Sequence, residues 1–109
     1  MPQPIIPRPL AEFFAAQNAG NVELLLTSFT EDAIVHDERQ EHRGTAAIRA
    51  WLERTTREYH PQVELVAASE YGGSFSVDAS VSGTFPQSPV RLRYTFTLIG
   101  DRVSRLDIG

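Results

Sequence analysis

Hydrophobic residues recur at helical spacing in three stretches of the first half of the chain, and each stretch predicts a helix with one buried face. The first helix ends at Gly20, which can adopt the left-handed conformation of a C-cap, and Asn21 is a suitable N-cap for the second. The expected inward-facing positions are Leu10, Phe13 and Phe14 in the first helix, Leu25 and Phe29 in the second, and Ile48, Trp51 and Leu52 in the third.

Beyond Pro61 the pattern changes from helical spacing to alternation, which predicts strands. The clearest case is 74–82, where apolar residues alternate strictly with Ser and Asp. The predicted strands span 33–37, between the second and third helices, and then 62–69, 74–82, 90–99 and 102–108. Residues 38–44 are a polar turn or a second short strand.

Three helices followed by a meander of strands indicate an α+β fold, with the helices packed on one face of a curved, mainly antiparallel sheet. A length of 109 residues predicts a single domain over 1–109. Four prolines among the first nine residues predict an extended arm over 1–8.

Composition and charge exclude several classes of function. The chain is 41% hydrophobic and 22% charged, which is typical of a soluble globular protein, and no apolar run approaches the roughly 20 residues of a membrane span. The net charge of -4, without a basic cluster, argues against nucleic acid and anionic membranes as partners. The lack of cysteine rules out a thiol nucleophile, and with the lack of an export signal it favours the cytoplasm.

Asp37 is the most informative polar residue, because it ends the short apolar strand between the second and third helices. A carboxylate at this place would point into a cup of apolar side chains, where burial raises its pKa and makes it a better proton acceptor. The alternative is a solvated aspartate at an ordinary strand end.

A metal site formed by His36, Asp37, Glu41 and His42 is disfavoured. His36 and Asp37 are neighbours on a strand, so their side chains point to opposite faces and the four groups do not converge. The chain also has no glycine-rich phosphate loop, so no cofactor and no metal is expected.

Four segments carry a resemblance that covers the chain from Leu10 onward. They are Phe-Ala-Ala-Gln-Asn-Ala-Gly-Asn at 14–21, Ser-Phe-Thr-Glu-Asp-Ala at 28–33, His36-Asp37, and Arg-Gly-Thr-Ala-Ala-Ile-Arg at 43–49. In this order they resemble the nuclear transport factor 2-like superfamily, in its SnoaL-like and ketosteroid isomerase-like branch. The resemblance implies a cone-shaped roll that hosts isomerases, cyclases, dehydratases and non-catalytic binding domains.

The resemblance to the isomerases also implies roles for individual residues. Asp37 matches their general base, whereas Phe13 stands where they have a tyrosine that donates to the developing oxyanion. Their second donor, a protonated aspartate, falls near Tyr94. Steroid isomerisation is therefore not expected, but proton abstraction next to a carbonyl remains open.

The last strand adds a feature that the isomerases lack. Regular alternation places Val103, Arg105 and Asp107 on one face, and the resemblance makes this the pocket face. An Arg beside carboxylates resembles the water-activating site of limonene epoxide hydrolase. The alternative is a solvated ion pair.

The sequence thus predicts a pocket protein that binds a small hydrophobic carbonyl compound, with Asp37 as general base in isomerase- or cyclase-like chemistry. Its rivals are a non-catalytic ligand-binding or dimerisation module and an epoxide-hydrolase-like enzyme that uses Arg105 and Asp107. A homodimer is expected from the resemblance and from the short hydroxyl side chains on the sheet's outer face. The expected pocket wall consists of Phe13, Trp51, Val77, Phe96 and Val103.

Overall fold

The computed structural model describes residues 4–109, which form three helices and six strands. In chain order these are α1 (Arg8–Ala19), α2 (Val22–Thr27), β1 (Phe29–Asp37), β2 (Gln40–Arg43), α3 (Gly44–Tyr59), β3 (Gln62–Tyr71), β4 (Ser74–Ser82), β5 (Val90–Ile99) and β6 (Arg102–Ile108). Residues 1–3 of the predicted arm lie outside the described residues, and α1 already begins at its last position, Arg8.

The six strands form a single sheet in the order β2-β1-β6-β5-β4-β3. All neighbouring strands are antiparallel except β1 and β6, which run parallel. The parallel pair brings the last strand beside the strand that ends at Asp37. The predicted α+β fold, with helices packed on a mainly antiparallel sheet, is confirmed. No helix in residues 4–109 is long and apolar enough to cross a membrane.

The junction between α1 and α2 has the predicted caps. Gly20 adopts a φ of 67°, and its N–H donates to carbonyls of the last turn of α1. The side chain of Asn21 accepts from the backbone N–H of Leu24 at 3.1 Å. Because both caps are local, the sequence was sufficient to predict them.

The core is one cluster between the helices and the concave face of the sheet. At its centre the ring of Phe13 meets the rings of Phe14, Phe29 and Phe96 edge to face, with centroids 5.3, 6.0 and 5.3 Å away. Phe13 and Phe96 are fully buried. This aromatic cluster fills one end of the concave face and leaves the other end free for a cavity.

A β-bulge in β6 overturns the predicted facing of the last strand. Leu98 pairs with Val103 whereas Thr97 pairs with Arg105, so β6 advances by two residues while β5 advances by one. Val103 and Leu106 are consequently both buried. The prediction that Arg105 and Asp107 share the pocket face with Val103 is wrong, because the bulge turns them to the outer face.

A second bulge, in β3, changes the facing of Ala67. Leu65 pairs with Ala79 and Ala67 with Asp78, so the residue between them, Val66, is extra. Ala67 therefore turns outward with Asp78, and Ala68 takes the inward position next to Val77. The strand also extends to Tyr71, beyond the predicted end at residue 69.

Candidate functional site

A cavity of about 560 Å³ lies on the concave side of the sheet, beside α3 and the turn between β1 and β2. A volume of this size is typical of a small-molecule site. Its wall is mainly apolar, formed by Trp51, Val81, Phe85, Val90, Leu92 and Ile108. The polar groups on the wall include Asp37 and Tyr94, which the sequence had singled out.

Asp37 reaches the cavity because of its register in the sheet. Val35, two residues earlier, is fully buried opposite Leu106, and strand alternation sends Asp37 to the same face. The indole Nε1 of Trp51, on α3, donates a hydrogen bond to Oδ2 of Asp37 at 3.0 Å. One carboxylate oxygen of Asp37 is therefore held by α3 at the wall of the cavity.

Burial in this apolar setting raises the pKa of Asp37 above its ordinary value, and the hydrogen bond from Trp51 opposes that rise only in part. The neighbouring negative charge of Glu38 raises the pKa of Asp37 further, while His42 acts in the opposite direction. The carboxylate is thus more basic than one in water, as general-base catalysis near neutral pH requires.

The raised pKa of Asp37 has a consequence for stability. At acidic pH Asp37 is protonated in both the folded and the unfolded chain. As pH rises from the ordinary carboxyl range through the raised pKa, the unfolded chain releases its proton first, so the folded state loses stability. We expect Asp37→Asn to raise the melting temperature at neutral pH, and this gain should vanish at acidic pH.

The measurement is thermal unfolding of both proteins across that pH range, with Asp32→Asn as the matched control. Asp32 is an exposed carboxylate on the same strand, so its replacement should not reproduce the pH-dependent gain. A gain of equal size at every pH would contradict a partly buried carboxylate whose pKa is raised by desolvation at Asp37.

Tyr94 supplies a phenol on the same cavity. Its ring is 3% exposed and is held by Phe14 edge to face at 5.3 Å and by Phe96 in a stacked arrangement at 6.2 Å. Burial raises the pKa of Tyr94 strongly, and the negative charge of Asp37 raises it further. The hydroxyl is therefore protonated at neutral pH. It has no hydrogen-bond partner among residues 4–109, so it is free to donate to a ligand.

The far wall of the cavity is a loop fixed to the end of α3. The backbone N–H and the hydroxyl of Thr84 donate to the carbonyls of Tyr59 and Glu58, each at 2.8 Å. Phe85 then packs edge to face on the ring of Tyr59 at 5.9 Å. A Cβ on Gly83 would lie 2.2 Å from the Tyr59 carbonyl oxygen, so only glycine permits this close approach.

Of the five residues predicted to form the pocket wall, only Trp51 lines this cavity. Phe13, Val77, Phe96 and Val103 do not line the cavity: they are buried in the core at the filled end of the concave face. The cavity lies further along the strands, where Val81, Leu92 and Ile108 face inward. Alternation on β4 and β5 could have placed Val81 and Leu92 on this face. Ile108 could not be found in this way, because regular alternation without the bulge in β6 predicts that Ile108 faces outward.

Arg105 and Asp107 form a two-hydrogen-bond ion pair with each other on the outer face, at 2.9 and 3.0 Å. Their side chains are 44% and 41% exposed. They are not part of the cavity wall. An epoxide-hydrolase-like site that uses these two residues therefore has no support in the geometry.

His42 lies beside the candidate base but does not help to form a metal site. Its ring stacks on Trp51 with centroids 5.8 Å apart, and its buried Nε2 has no hydrogen-bond partner among the described residues. Within residues 4–109 no group of three or more His, Asp or Glu side chains is arranged to hold a metal ion.

Comparison with known proteins identifies one family whose model matches the chain and many solved structures with a similar fold. The profile of a family described as "SnoaL-like domain" matches residues 10–105. A proposed polyketide cyclase from Sinorhizobium meliloti is 34% identical in sequence, and the two chains superimpose with a TM-score of 0.91 over 95% of each. No curated protein matches the sequence significantly.

Two more distant structures share the fold alone. A protein with a ketosteroid isomerase-like fold from Catenulispora acidiphila, in complex with trimethylamine, is 19% identical, with a TM-score of 0.83 over 96% of this chain and 86% of its own. An epoxide hydrolase/cyclase-like enzyme of pyran ring formation in the polyether salinomycin is 22% identical, with a TM-score of 0.78 over 92% and 85%.

Proposed function

Because this chain belongs to the SnoaL-like domain family, we propose that its cavity binds a small, largely apolar carbonyl compound and moves a proton at the carbon next to the carbonyl. Asp37 is the general base of this proposal. The observation that carries it is the setting of Asp37, a carboxylate with a raised pKa, held by Trp51 on the wall of an apolar cavity. A site of this kind suits proton abstraction from carbon.

In the first step the carboxylate of Asp37 takes a proton from the carbon beside the ligand's carbonyl. The electron pair of the broken C–H bond moves toward the carbonyl oxygen, and the phenol of Tyr94 donates a hydrogen bond to that oxygen. Because the pKa of Tyr94 is raised, the phenol stabilises the negative charge as a neutral donor and keeps its proton.

The second step decides the class of reaction. In an isomerisation, protonated Asp37 returns its proton to a different carbon of the same ligand. In a cyclisation, the carbanion attacks a second carbonyl carbon of the ligand, a carbon–carbon bond forms, and the resulting alkoxide takes the proton from Asp37. Polyketides carry several carbonyl groups, and the similar protein from Sinorhizobium meliloti is a proposed polyketide cyclase, which favours cyclisation.

The first step can be tested without knowing the natural substrate. The protein is incubated in D2O with a panel of apolar ketones and diketones, and deuterium uptake at the carbon beside the carbonyl is followed by mass spectrometry. We expect at least one compound to exchange faster than in buffer alone. Uptake at the buffer rate for every compound that binds would contradict the proposed base.

A second candidate is a non-catalytic ligand-binding module. Phe13, which stands where the isomerases have an oxyanion donor, is fully buried in the aromatic cluster and has no hydroxyl. Of the two oxyanion donors in that arrangement, the one at Phe13 is therefore lost, and the other is replaced by the phenol of Tyr94. Ligands that raise the melting temperature without any exchange in D2O would favour this binding function.

We also propose that two copies associate through the outer face of β4 and β5, where the short hydroxyl side chains of Thr95 and Thr97 stand opposite Ser76 and Ser74. Light scattering at micromolar concentration should report a dimer, and Thr95→Arg should shift it to monomer. Ala50→Arg, on the exposed side of α3, is the matched control and should leave the dimer intact. A wild-type protein that stays monomeric would overturn this proposal.

The cytoplasmic location stays a prediction.

A further inference from the structure

The turn that follows Asp37 is conformationally unusual. Asp37 pairs with Gln40, so only Glu38 and Arg39 connect β1 to β2, and their φ angles are 54° and 65°. A two-residue hairpin turn with positive φ at both positions favours Asn and Gly, since side chains strain this conformation. Two long charged residues here are therefore a local cost to stability that some other contribution must offset.

The contacts of Glu38 account for one of the two residues. Its carboxylate accepts from Arg54 at 3.1 Å and from the Tyr59 hydroxyl at 3.3 Å, which fastens the turn to α3. Arg54 lies 3.5 Å from Glu58 as well. Arg54 is thus paired with both Glu38 and Glu58, and of these three charged residues Glu38 lines the cavity.

Arg39 has no comparable explanation. Its guanidinium makes no ion pair and no side-chain hydrogen bond within residues 4–109, yet the residue lines the cavity and is exposed at its mouth. The strained turn therefore presents an unengaged cation at the entrance of a mainly apolar cavity. Because the Arg39 side chain makes no ion pair or hydrogen bond within residues 4–109, no such interaction offsets the strain at this residue, and a ligand contact would offset it.

We infer that the ligand is amphipathic: its apolar, carbonyl-bearing part occupies the cavity, and a carboxylate at its outer end binds to Arg39. The guanidinium matches a carboxylate in charge and in its planar, two-donor geometry. This orientation also keeps the ligand's charge at the mouth, where water is present, and places the apolar part against Trp51 and Leu92. That the apolar part of the ligand carries a carbonyl group rests on the proposed function, whereas the carboxylate at its outer end is inferred from Arg39 alone.

The test uses two probes that differ by a single group: an acetylnaphthoic acid and the acetylnaphthalene that lacks only its carboxyl group. Titration calorimetry at neutral pH should show wild type binding the acid about three- to tenfold more tightly than the neutral ketone. Arg39→Gln should remove this preference without changing the affinity for the ketone. Arg39→Lys should keep part of it, because the charge remains.

Arg102→Gln is the matched control, since Arg102 is exposed, carries the same charge and lies away from the cavity wall. It should leave the preference unchanged, which separates contact at the mouth from the effect of net charge. Arg39→Gly offers a second readout. Glycine relieves the strained φ, so the melting temperature should rise while the preference for the acid is lost.

Equal affinity of wild type for acid and ketone would overturn the inference while leaving the proposed function intact. The same holds if Arg39→Gln and Arg102→Gln weaken acid binding equally, because net charge then accounts for the effect. If wild type binds neither probe, the cavity is not a site for apolar carbonyl compounds of this size, and both proposals fail together.

Discussion

Replacing Asp37 by Asn is expected to slow deuterium exchange or turnover of any carbonyl substrate by about 10²–10⁴-fold, which is the usual contribution of a positioned general base. Asn keeps an oxygen that can accept from the indole of Trp51, so the hydrogen bond at 3.0 Å and the fold should survive. Affinity for a neutral ketone should change little. The loss should therefore appear in kcat rather than in KM.

The pH dependence of the wild type adds an independent check. Asp37 acts as a base only when it is deprotonated, so activity should fall as pH drops through its raised pKa. Asp32→Asn, the exposed control on the same strand, should retain both the rate and the pH profile. Full activity of Asp37→Asn on a substrate of the wild type would place the base elsewhere.

The second large effect concerns stability. Phe96→Ala is expected to lower the free energy of unfolding by about 3–5 kcal/mol, because it removes a fully buried ring and leaves a void. Phe96 also contacts Phe13, Phe14 and Tyr94, with ring centroids 5.3, 5.7 and 6.2 Å away. Loss of these aromatic contacts adds to the cost. Chemical denaturation followed by the fluorescence of Trp51 measures the change.

Phe85→Ala is the matched control for this prediction. Phe85 is a phenylalanine at the cavity wall that is only partly buried, so its truncation should cost clearly less stability. A loss below about 1 kcal/mol for Phe96→Ala would mean that the surrounding core does not depend on this ring. The change should also displace Tyr94 and weaken ligand binding, because Phe96 supports one face of its ring.

The sequence alone predicted much of the architecture. Helical spacing located α1 to α3, and caps located the junction at Gly20 and Asn21. The prediction was wrong for Phe29, which it counted in the second helix and which begins β1. Alternation on β4 and β5 placed Val77 and Phe96 on the inward face, but it could not show that they belong to the core and not to the pocket wall. The family and the fold followed from short segments. The order of elements was sufficient to place Asp37 at the end of a strand, but it left open whether the carboxylate faces the concave side or solvent. These features depend on residues close together in the chain, which periodicity describes well.

Only the tertiary structure decided where the cavity lies and what surrounds Asp37. The bulge in β6 depends on how that strand pairs with β5, and it turned Arg105 and Asp107 outward and brought Ile108 inward. The bond from Trp51 to Asp37 joins a helix to a strand, and periodicity carries no information on such contacts. Arg39 became a candidate ligand-binding residue only because the structure shows its positive φ. It also shows that Glu38 is bound to α3 whereas the Arg39 side chain has no ion pair or hydrogen bond within residues 4–109. Sequence patterns report which face a residue occupies when a strand is regular, whereas a bulge, a cavity and an unengaged charge arise from the packing of distant segments against one another.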